Sequence, residues 1–329
     1  MKKFVLHPEL TNHCNFRCIF CPHSVYGKSS VGGNEFNREK GYMSEELFSL
    51  VLENASKYAK SVILGFFGEP LLHPRFEEYI KLIPANRCYD LEINTNWSLV
   101  TKENMNTLKL FDLVRISLDA SYSTLWEELC PGGQVLDING ELHQDRFHII
   151  TEKIKYWLML PDHSPTRIVY VVSSINHQDR DTFVSKWLPK LGASDHIVTK
   201  SVISYGGIMK DSYMRVNSCN IIKSQPYFII SWDGKCSPCN LDVNIELNAG
   251  NILKTRDISK IVEGDRWKHI MFEINQKSGI CLNCFDANNW TENKIYYGGN
   301  NIGRNIKRIT TFAKKHWFRD MVGCDLKSK

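Results

Sequence analysis

The sequence predicts an α/β protein: a partial (β/α)6 barrel of the TIM type, followed by a small domain made of a β-hairpin and a helix. Six short β-branched segments alternate with amphipathic helical segments before residue 205. The alternation stops at Tyr205-Gly206-Gly207. A strand pair then flanks Asp233-Gly234, a dipeptide typical of hairpin turns.

The strands and helices of the barrel follow each other in strict order. Ser44 is the predicted N-cap of the first helix, because Glu45 and Glu46 fall in its first turn. The predicted strands are 4–10, 61–66, 89–96, 113–119, 166–174 and 196–204, and the predicted helices are 44–58, 74–83, 101–110, 121–129, 145–159 and 178–190. Such βαβ units give parallel strands, so functional groups are expected at the carboxyl ends of the strands.

The second half is shorter and more polar. A hairpin is predicted over 227–243 and a helix over 256–276, followed by the sequence CLNC at 281–284. We therefore divide the chain into a barrel (1–205), a small domain (206–293) and a basic tail (294–329).

The tail holds nine Lys or Arg and two Asp, a charge of +7. Because the net charge of the chain is +5, the residues before the tail carry a net charge of −2. A body of that charge is not expected to bind nucleic acid. Apolar residues recur in the tail at helical spacing, which predicts a docked C-terminal helix. A helix on an anionic membrane surface is the less favoured alternative.

The number of cysteines indicates the cellular compartment in which the protein works. No signal-peptide pattern and no apolar run of membrane-spanning length occurs, and the chain has eleven cysteines. Cysteines in a reducing compartment are more often metal ligands or catalytic groups than disulfide partners. We therefore expect a cytoplasmic metalloprotein.

Three cysteines, Cys14, Cys18 and Cys21, follow the first predicted strand as CxxxCxxC. Three thiolates can bind three irons of a 4Fe-4S cluster and leave the fourth iron open, as a catalytic metal site requires. Structural zinc, with His13 or a distant cysteine as fourth ligand, is the alternative.

The segment CNFRCIFC at 14–21 resembles the cluster motif of the radical S-adenosylmethionine (SAM) superfamily. The resemblance implies that SAM chelates the open iron. An electron from a donor such as flavodoxin or ferredoxin then passes through the cluster and cleaves a carbon–sulfur bond of SAM. The resulting 5′-deoxyadenosyl radical abstracts hydrogen from a C–H bond. Phe20 is the aromatic residue that packs near the adenine in the family.

The second predicted strand ends in GFFGEP, where the family has a GGE-type motif that binds the SAM amino group. Phe67 replaces the first glycine. Gly68 still allows close backbone approach, and Glu69 can accept hydrogen bonds from an ammonium group. Gly68, Glu69 and Pro70 are thus predicted SAM contacts.

The third predicted strand ends in INTNW, which is similar to the TNG pattern of the family with Trp97 in place of glycine. Asn94 and Asn96 are candidates to reach SAM, and hydrogen-bonded strand-end asparagines are the alternative. Ser117, in SLDAS after the fourth strand, is implied to face the SAM carboxylate or ribose. Asp119 is an alternative helix cap.

The basic partner of the SAM carboxylate is the least defined of these contacts. Arg146 is the candidate in this sequence. The family often has an arginine near Cys130-Pro131, where this chain has none.

Cys219, Cys239, Cys281 and Cys284 resemble the auxiliary-cluster domain called SPASM or, in its shorter form, twitch. The local DGKCSPC is similar to DGxVxPC of that family, with Cys236 in the place of an apolar residue. The alternative is a zinc ribbon of two CxxC pairs. The 41 residues between Cys239 and Cys281 exceed the roughly 15–20 of such ribbons.

The resemblance implies SAM and two 4Fe-4S clusters as cofactors and a small-molecule or peptide substrate. We expect oxidation of a hydroxyl-bearing carbon of a sugar or aminocyclitol, with the auxiliary cluster accepting the second electron. A redox-neutral epimerase, with Cys236 or Cys130 as hydrogen donor, is the first alternative. A zinc-binding protein without enzymatic activity is the second.

Overall fold

The described residues form a single sheet of ten strands. The computed structural model describes residues 3–25, 36–206, 208–209, 226–284 and 294–299. The strands are β1 (Phe4–Pro8), β2 (Ala59–Leu64), β3 (Asp90–Thr95), β4 (Leu113–Ser117), β5 (Thr166–Val172), β6 (His196–Ser201), β7 (Tyr227–Ile230), β8 (Lys235–Ser237), β9 (Gly250–Asn251) and β10 (Lys294–Tyr297). They are ordered β10-β6-β5-β4-β3-β2-β1-β7-β8-β9.

The strands β1 to β6 pair in sequence order and are all parallel. The α/β class and the six predicted strands are therefore confirmed, with ends that shift by a few residues. Side chains alternate across each strand. In β4, Val114 and Ile116 are buried in the main core, whereas Arg115 and Ser117 point to the opposite face, the interior of the barrel.

Helices cover the outer face of the sheet. They are α1 (Glu45–Tyr58), α2 (Phe76–Lys81), α3 (Lys102–Leu108), α4 (Ser123–Leu129), α5 (Arg146–Met159), α6 (Arg180–Trp187), α7 (Ile252–Thr255), α8 (Ile258–Glu263) and α9 (Asp265–Gln276). All six predicted barrel helices are present.

The first helix shows why these predictions succeed. The Ser44 hydroxyl accepts the N–H of Leu47 at 3.2 Å, which caps a donor that the helix leaves unpaired. Leu47, Val51 and Ala55 form a fully buried stripe against the sheet. Burial of a Leu or Val side chain stabilises the fold by about 1.5–3 kcal/mol.

The second half extends the barrel sheet instead of packing apart from it. Strand β7 pairs in parallel with β1, from Val5↔Tyr227 to Pro8↔Ile230. Strand β8 returns antiparallel to β7 around the predicted Asp233-Gly234 turn. Gly234 has φ +83, a conformation in which glycine is favoured.

The predicted single helix over 256–276 is wrong. Gly264, in an extended conformation, ends α8 and begins α9. The Cβ that any other residue would add at Gly264 lies 3.2 Å from the carbonyl oxygen of Lys260, so the chain turns closely here.

Residues 294–297 form β10, which pairs antiparallel with β6, from Lys294↔Thr199 to Tyr297↔His196. The predicted C-terminal helix and its alternative on a membrane fall on residues 300–329, outside the described ranges. Among the described helices, none has the length and apolar character needed to cross a membrane.

Candidate active site at the carboxyl ends of the strands

The three cysteines of the triplet lie together on the loop after β1 and are partly buried. The Cys21 N–H donates to the Cys18 carbonyl at 2.9 Å, which turns the loop back on itself. Burial raises the pKa of Cys14, and the nearby thiols of Cys18 and Cys21 raise it further. Three crowded thiols become thiolates when a cationic centre compensates their charge, so this donor set fits an iron–sulfur cluster.

A second segment holds the triplet loop from the side of α4. The N–H of Arg17 donates to the Pro131 carbonyl at 3.0 Å, and the N–H of Ile19 donates to the Leu129 carbonyl at 2.9 Å. Between these two bonds, the Sγ atoms of Cys18 and Cys130 approach to 3.5 Å. The predicted hydrogen donor Cys130 is thus placed against a predicted cluster ligand.

Gly68 joins the end of β2 to the triplet loop. It has φ +124, and a Cβ added there would overlap the Thr11 carbonyl and lie 2.8 Å from the His13 carbonyl. The N–H of Glu69 donates to that same His13 carbonyl at 2.8 Å. Only glycine lets the two loops approach this closely.

The Glu69 carboxylate is buried and held in one orientation. Its Oε1 accepts the Thr95 hydroxyl at 2.9 Å and the Leu71 N–H at 3.2 Å, and its Oε2 accepts the Asn96 N–H at 2.7 Å. Burial raises the pKa of Glu69 to about 7, although these hydrogen bonds act to lower the pKa. Pro70 begins the 3-10 turn Pro70–Leu72 that follows. Lys153 lowers its pKa from a distance, but no cation contacts this carboxylate among the described residues, which suits a site for an ammonium group.

The two asparagines of the third strand end make protein hydrogen bonds. Asn94 donates from Nδ2 to the Gly65 carbonyl at 3.1 Å. Asn96 lies just beyond β3 and donates from Nδ2 to Asn15 Oδ1 at 2.9 Å, which ties this loop to the triplet loop. The side chains therefore hold the loops in place. A contact of these side chains with SAM stays a prediction.

Trp97 occupies the position where the family pattern has glycine. Its φ is +64, in the left-handed region, so the backbone keeps the conformation that a glycine would adopt easily. The indole is fully buried and packs edge-to-face on Trp157, with ring centres 5.7 Å apart.

Ser117 is the exposed last residue of β4 and lies on the interior face of the barrel, as its predicted role requires. Asp119 does not cap the next helix, whose N-cap position is Tyr122. Instead, its Oδ1 accepts the Val171 N–H at 2.7 Å. Burial raises the pKa of Asp119 to about 7.

Arg146 is committed to other partners. Its guanidinium pairs with Glu127, donates to the Gly132 carbonyl and lies over the Trp126 ring. These contacts make it a poor candidate for the SAM carboxylate. Phe20 lies on the triplet loop, partly buried against the main core.

The auxiliary cysteines are described in part. Cys239 is buried after β8, and Cys281 and Cys284 are partly buried on and just after the 3-10 turn Gly279–Asn283. Cys219 lies outside the described residues. Cys236 is fully buried in β8, and its Sγ donates to the Gly234 carbonyl at 3.4 Å, inside the hairpin.

Sequence reasoning missed one buried cation next to the site. Lys153 on α5 donates from Nζ to the carbonyls of Ser98, Val100 and Leu136, the first two at 2.9 Å. It thereby ties the loop after β3 to the segment between α4 and α5. The available signal was its position on the apolar stripe of α5, between Ile150 and Trp157.

Comparisons with known proteins agree with this geometry. The profile of the Radical SAM superfamily matches residues 9–145, and that of the SPASM iron-sulfur cluster-binding domain matches residues 219–285. The chain is similar to a tungsten-containing aldehyde ferredoxin oxidoreductase cofactor-modifying protein of Pyrococcus furiosus. The two are 25% identical over 268 residues, which are 71% of this chain and 70% of that protein.

A second relative is the S-adenosyl-L-methionine-dependent 2-deoxy-scyllo-inosamine dehydrogenase of Niallia circulans. It is 27% identical over 110 residues, which are 32% of this chain and 39% of that protein. The crystal structure of BtrN in complex with AdoMet and 2-DOIA superposes with a TM-score of 0.56. It has 21% identity and covers 86% of this chain and 94% of that one, which supports the fold.

A radical SAM domain uses SAM and a 4Fe-4S cluster, and a SPASM domain binds auxiliary iron–sulfur clusters. The chain thus contains a radical SAM domain over residues 9–145 and, after its barrel, a SPASM-type cluster-binding domain over residues 219–285.

Proposed function

We propose that the protein oxidises a hydroxyl-bearing carbon of a polar small molecule, of the sugar or cyclitol class, to a ketone. Cys14, Cys18 and Cys21 hold the SAM-binding cluster, and Glu69 receives the SAM ammonium. Cys219, Cys239, Cys281 and Cys284 hold the auxiliary cluster. Loaded with SAM, the first site supplies a radical that abstracts hydrogen, and the auxiliary site takes up the second electron.

The contacts of the free thiols favour oxidation over epimerisation. An epimerase of this type needs a thiol that returns hydrogen to the substrate. Of the two candidates, Cys236 donates within its own hairpin and Cys130 faces Cys18. Such contacts are typical of structural thiols, which supports oxidation over epimerisation.

Oxidation of a carbinol also releases the hydroxyl proton. When carbon loses its hydrogen atom and then an electron, the O–H bond breaks and the C=O bond is completed. Asp119 lies at the carboxyl end of β4 and its Oδ2 has no hydrogen-bond donor among the described residues. Its pKa of about 7 suits a group that accepts a proton near neutral pH. We assign the proton to Asp119.

The inosamine dehydrogenase relative supports the reaction class, although it covers a third of this chain. The cysteine content further supports a cytoplasmic location and reduction by a flavodoxin- or ferredoxin-type donor.

The test begins with anaerobic reconstitution and analysis of iron, sulfide and zinc. Stoichiometric zinc with no SAM cleavage would overturn the enzymatic proposal. With cyclitols, sugars and short peptides offered in deuterated water, a ketone without solvent deuterium at the reacting carbon is expected. Deuterium in an inverted product would identify an epimerase instead.

Cysteine variants separate the two clusters. Cys18→Ala should abolish formation of 5′-deoxyadenosine. Cys239→Ala should leave SAM cleavage in place and suppress the ketone. Cys88→Ala removes an exposed thiol before β3 and serves as the matched control.

A further inference from the structure

The interior of the barrel contains an unusual number of cations. Arg115 on β4, Arg167 on β5 and Lys200 on β6 occupy positions that alternate with residues facing the outer helices. The register places Arg115 beside Arg167, and Lys200 beside Val171 at the carboxyl end of β5. Neighbouring strands therefore direct three positive charges to the interior face of the barrel, and we call the space there the lumen.

The carboxylates of the lumen do not balance these cations. Glu92 on β3 pairs with Arg115. Arg167 makes a single hydrogen bond, from Nε to His196 Nε2 at 2.7 Å. Within the described part of the chain, the side chains of Arg167 and Lys200 form no ion pair, and the Lys200 ammonium forms no hydrogen bond.

The electrostatic effects show that these side chains lie close together among surrounding protein atoms, although the Lys200 side chain keeps access to solvent. Burial lowers the pKa of Arg167 to about 10, with a further contribution from Arg115. Burial also lowers the pKa of Lys200; Arg115 and Arg167 act in the same direction, while Asp119 opposes them. The cations are near enough to disfavour one another, and an anion between them would relieve this.

Other groups in the lumen await a partner. Both ring nitrogens of His7 on β1 are buried without a hydrogen bond, and so is Nε of Arg115. The His7 ring packs edge-to-face on Tyr227, with centres 5.4 Å apart. Native proteins rarely leave buried polar atoms unsatisfied, which indicates that water or a ligand belongs here.

We propose that the substrate carries an oxyanion, a carboxylate or a phosphate, and that Arg167 and Lys200 hold it in the lumen. This rests on the proposed function, because the substrate of that reaction is the occupant. The planar guanidinium can donate two parallel hydrogen bonds to either oxyanion, and the ammonium adds a point charge. A substrate with free amines would add positive charge to a lumen that already has an excess.

The register also gives the occupant a direction. Arg167 lies four residues before Val171, so Lys200 marks a level about 13 Å closer to the carboxyl ends of the strands. The triplet loop and Glu69 lie at those ends. An oxyanion held below Lys200 leaves the neutral, hydroxyl-bearing part of the molecule facing the SAM motifs.

The test measures anion binding by the holoenzyme with both clusters and SAM, without turnover. Inorganic phosphate and acetate are titrated in separate arms at constant ionic strength set with chloride, and the thermal midpoint gives the dissociation constant. At least one anion should raise the midpoint of the wild type, and the arms distinguish phosphate from carboxylate. Arg167→Met and Lys200→Met should each weaken binding roughly tenfold or more.

Two further variants act as references. Arg167→Lys keeps the charge and loses the planar fork, so it should bind with intermediate affinity. Lys155→Met removes a half-buried lysine of α5 that pairs with Glu152, and it should bind like the wild type. Iron content and circular dichroism identify variants that fail to fold. If Arg167→Met fails to fold, Lys200→Met alone decides.

No stabilisation beyond that of chloride would overturn the proposal, as would equal binding by wild type and both methionine variants, which means an adventitious ion only. Loss of SAM affinity in Lys200→Met, with anion binding intact, would assign this lysine to the SAM carboxylate and overturn it too. Failure of the ketone assay with intact anion binding would instead reject the proposed function.

Discussion

The Sγ atoms of Cys18 and Cys130 lie 3.5 Å apart, a distance at which one thiol can donate a hydrogen bond to the other sulfur. Cys18 belongs to the triplet, while Cys130 ends α4 and is buried. Hydrogen bonds to cluster sulfurs stabilise the reduced, more negative state and so raise the reduction potential.

Cys130→Ala should therefore lower the midpoint potential of the SAM-binding cluster. A net hydrogen bond of about 1 kcal/mol corresponds to roughly 40 mV for one electron. A redox titration followed by electron paramagnetic resonance measures this. Cys88→Ala should leave the potential unchanged, and an unshifted potential in Cys130→Ala would show that the contact does not reach the cluster.

Gly68→Ala should disrupt the site, since a Cβ there overlaps the Thr11 carbonyl and the residue has φ +124. We expect SAM affinity to fall at least tenfold, measured by equilibrium binding to the reconstituted enzyme. The control is Gly140→Ala, because Gly140 also has positive φ (+90) and its nearest contact, Thr101 Cγ2, is 3.9 Å away. Similar losses in both variants would point to backbone strain alone.

Lys153→Met should loosen the loop after β3 and the segment between α4 and α5, because two carbonyls of the first and one of the second lose their donor. We expect a loss of about 2 kcal/mol in stability, which denaturant unfolding measures, and weaker SAM binding. Lys155 lies on the same helix with a half-buried side chain that pairs with Glu152, and Lys155→Met should change stability by less than about 0.5 kcal/mol. Unchanged SAM binding in Lys153→Met would show that the Lys153 contacts do not influence the SAM site.

His163 gives the fold a pH dependence. Its ring contacts the Leu160 carbonyl at 2.7 Å and both Asp195 oxygens at 3.2 Å, and the Asp195 hydrogen bond raises the pKa of His163. The stabilisation is complete below the unfolded value of about 6.5 and is lost as pH rises through the higher folded value.

The thermal midpoint of the wild type relative to His163→Gln should therefore decline from about pH 6.5 upward. His177→Gln, at an exposed histidine on a turn, should follow the wild type at every pH. A constant difference between wild type and His163→Gln would rule out this protonation.

The sequence predicted the barrel well, because its signals are local. Ser44 caps α1 through a bond three residues along the chain, and each strand has its own β-branched run. Gly68 and Glu69 were found because they end a strand after the triplet. The pairing of β7 with β1, the strand β10 and the lumen charges were missed, since they depend on contacts between distant segments.

Two residues show where local reasoning fails. Asp119 follows a strand and precedes a helix, which is where a cap is expected, yet it bonds to Val171 on the next strand. Lys153 interrupts an apolar stripe, and only the folded chain shows the carbonyls that it meets.

Strand β1 has a barrel strand, β2, on one side and the first strand of the cluster-binding hairpin, β7, on the other. It therefore connects the strand that precedes the triplet to the hairpin that precedes Cys239 through continuous backbone pairing. A deletion of one residue within β1 would reverse the faces of all later side chains in the strand and would shift the triplet loop against both neighbours. The register of the triplet loop against the cysteine-bearing hairpin thus depends on the pairing of the five-residue strand Phe4–Pro8 with β7.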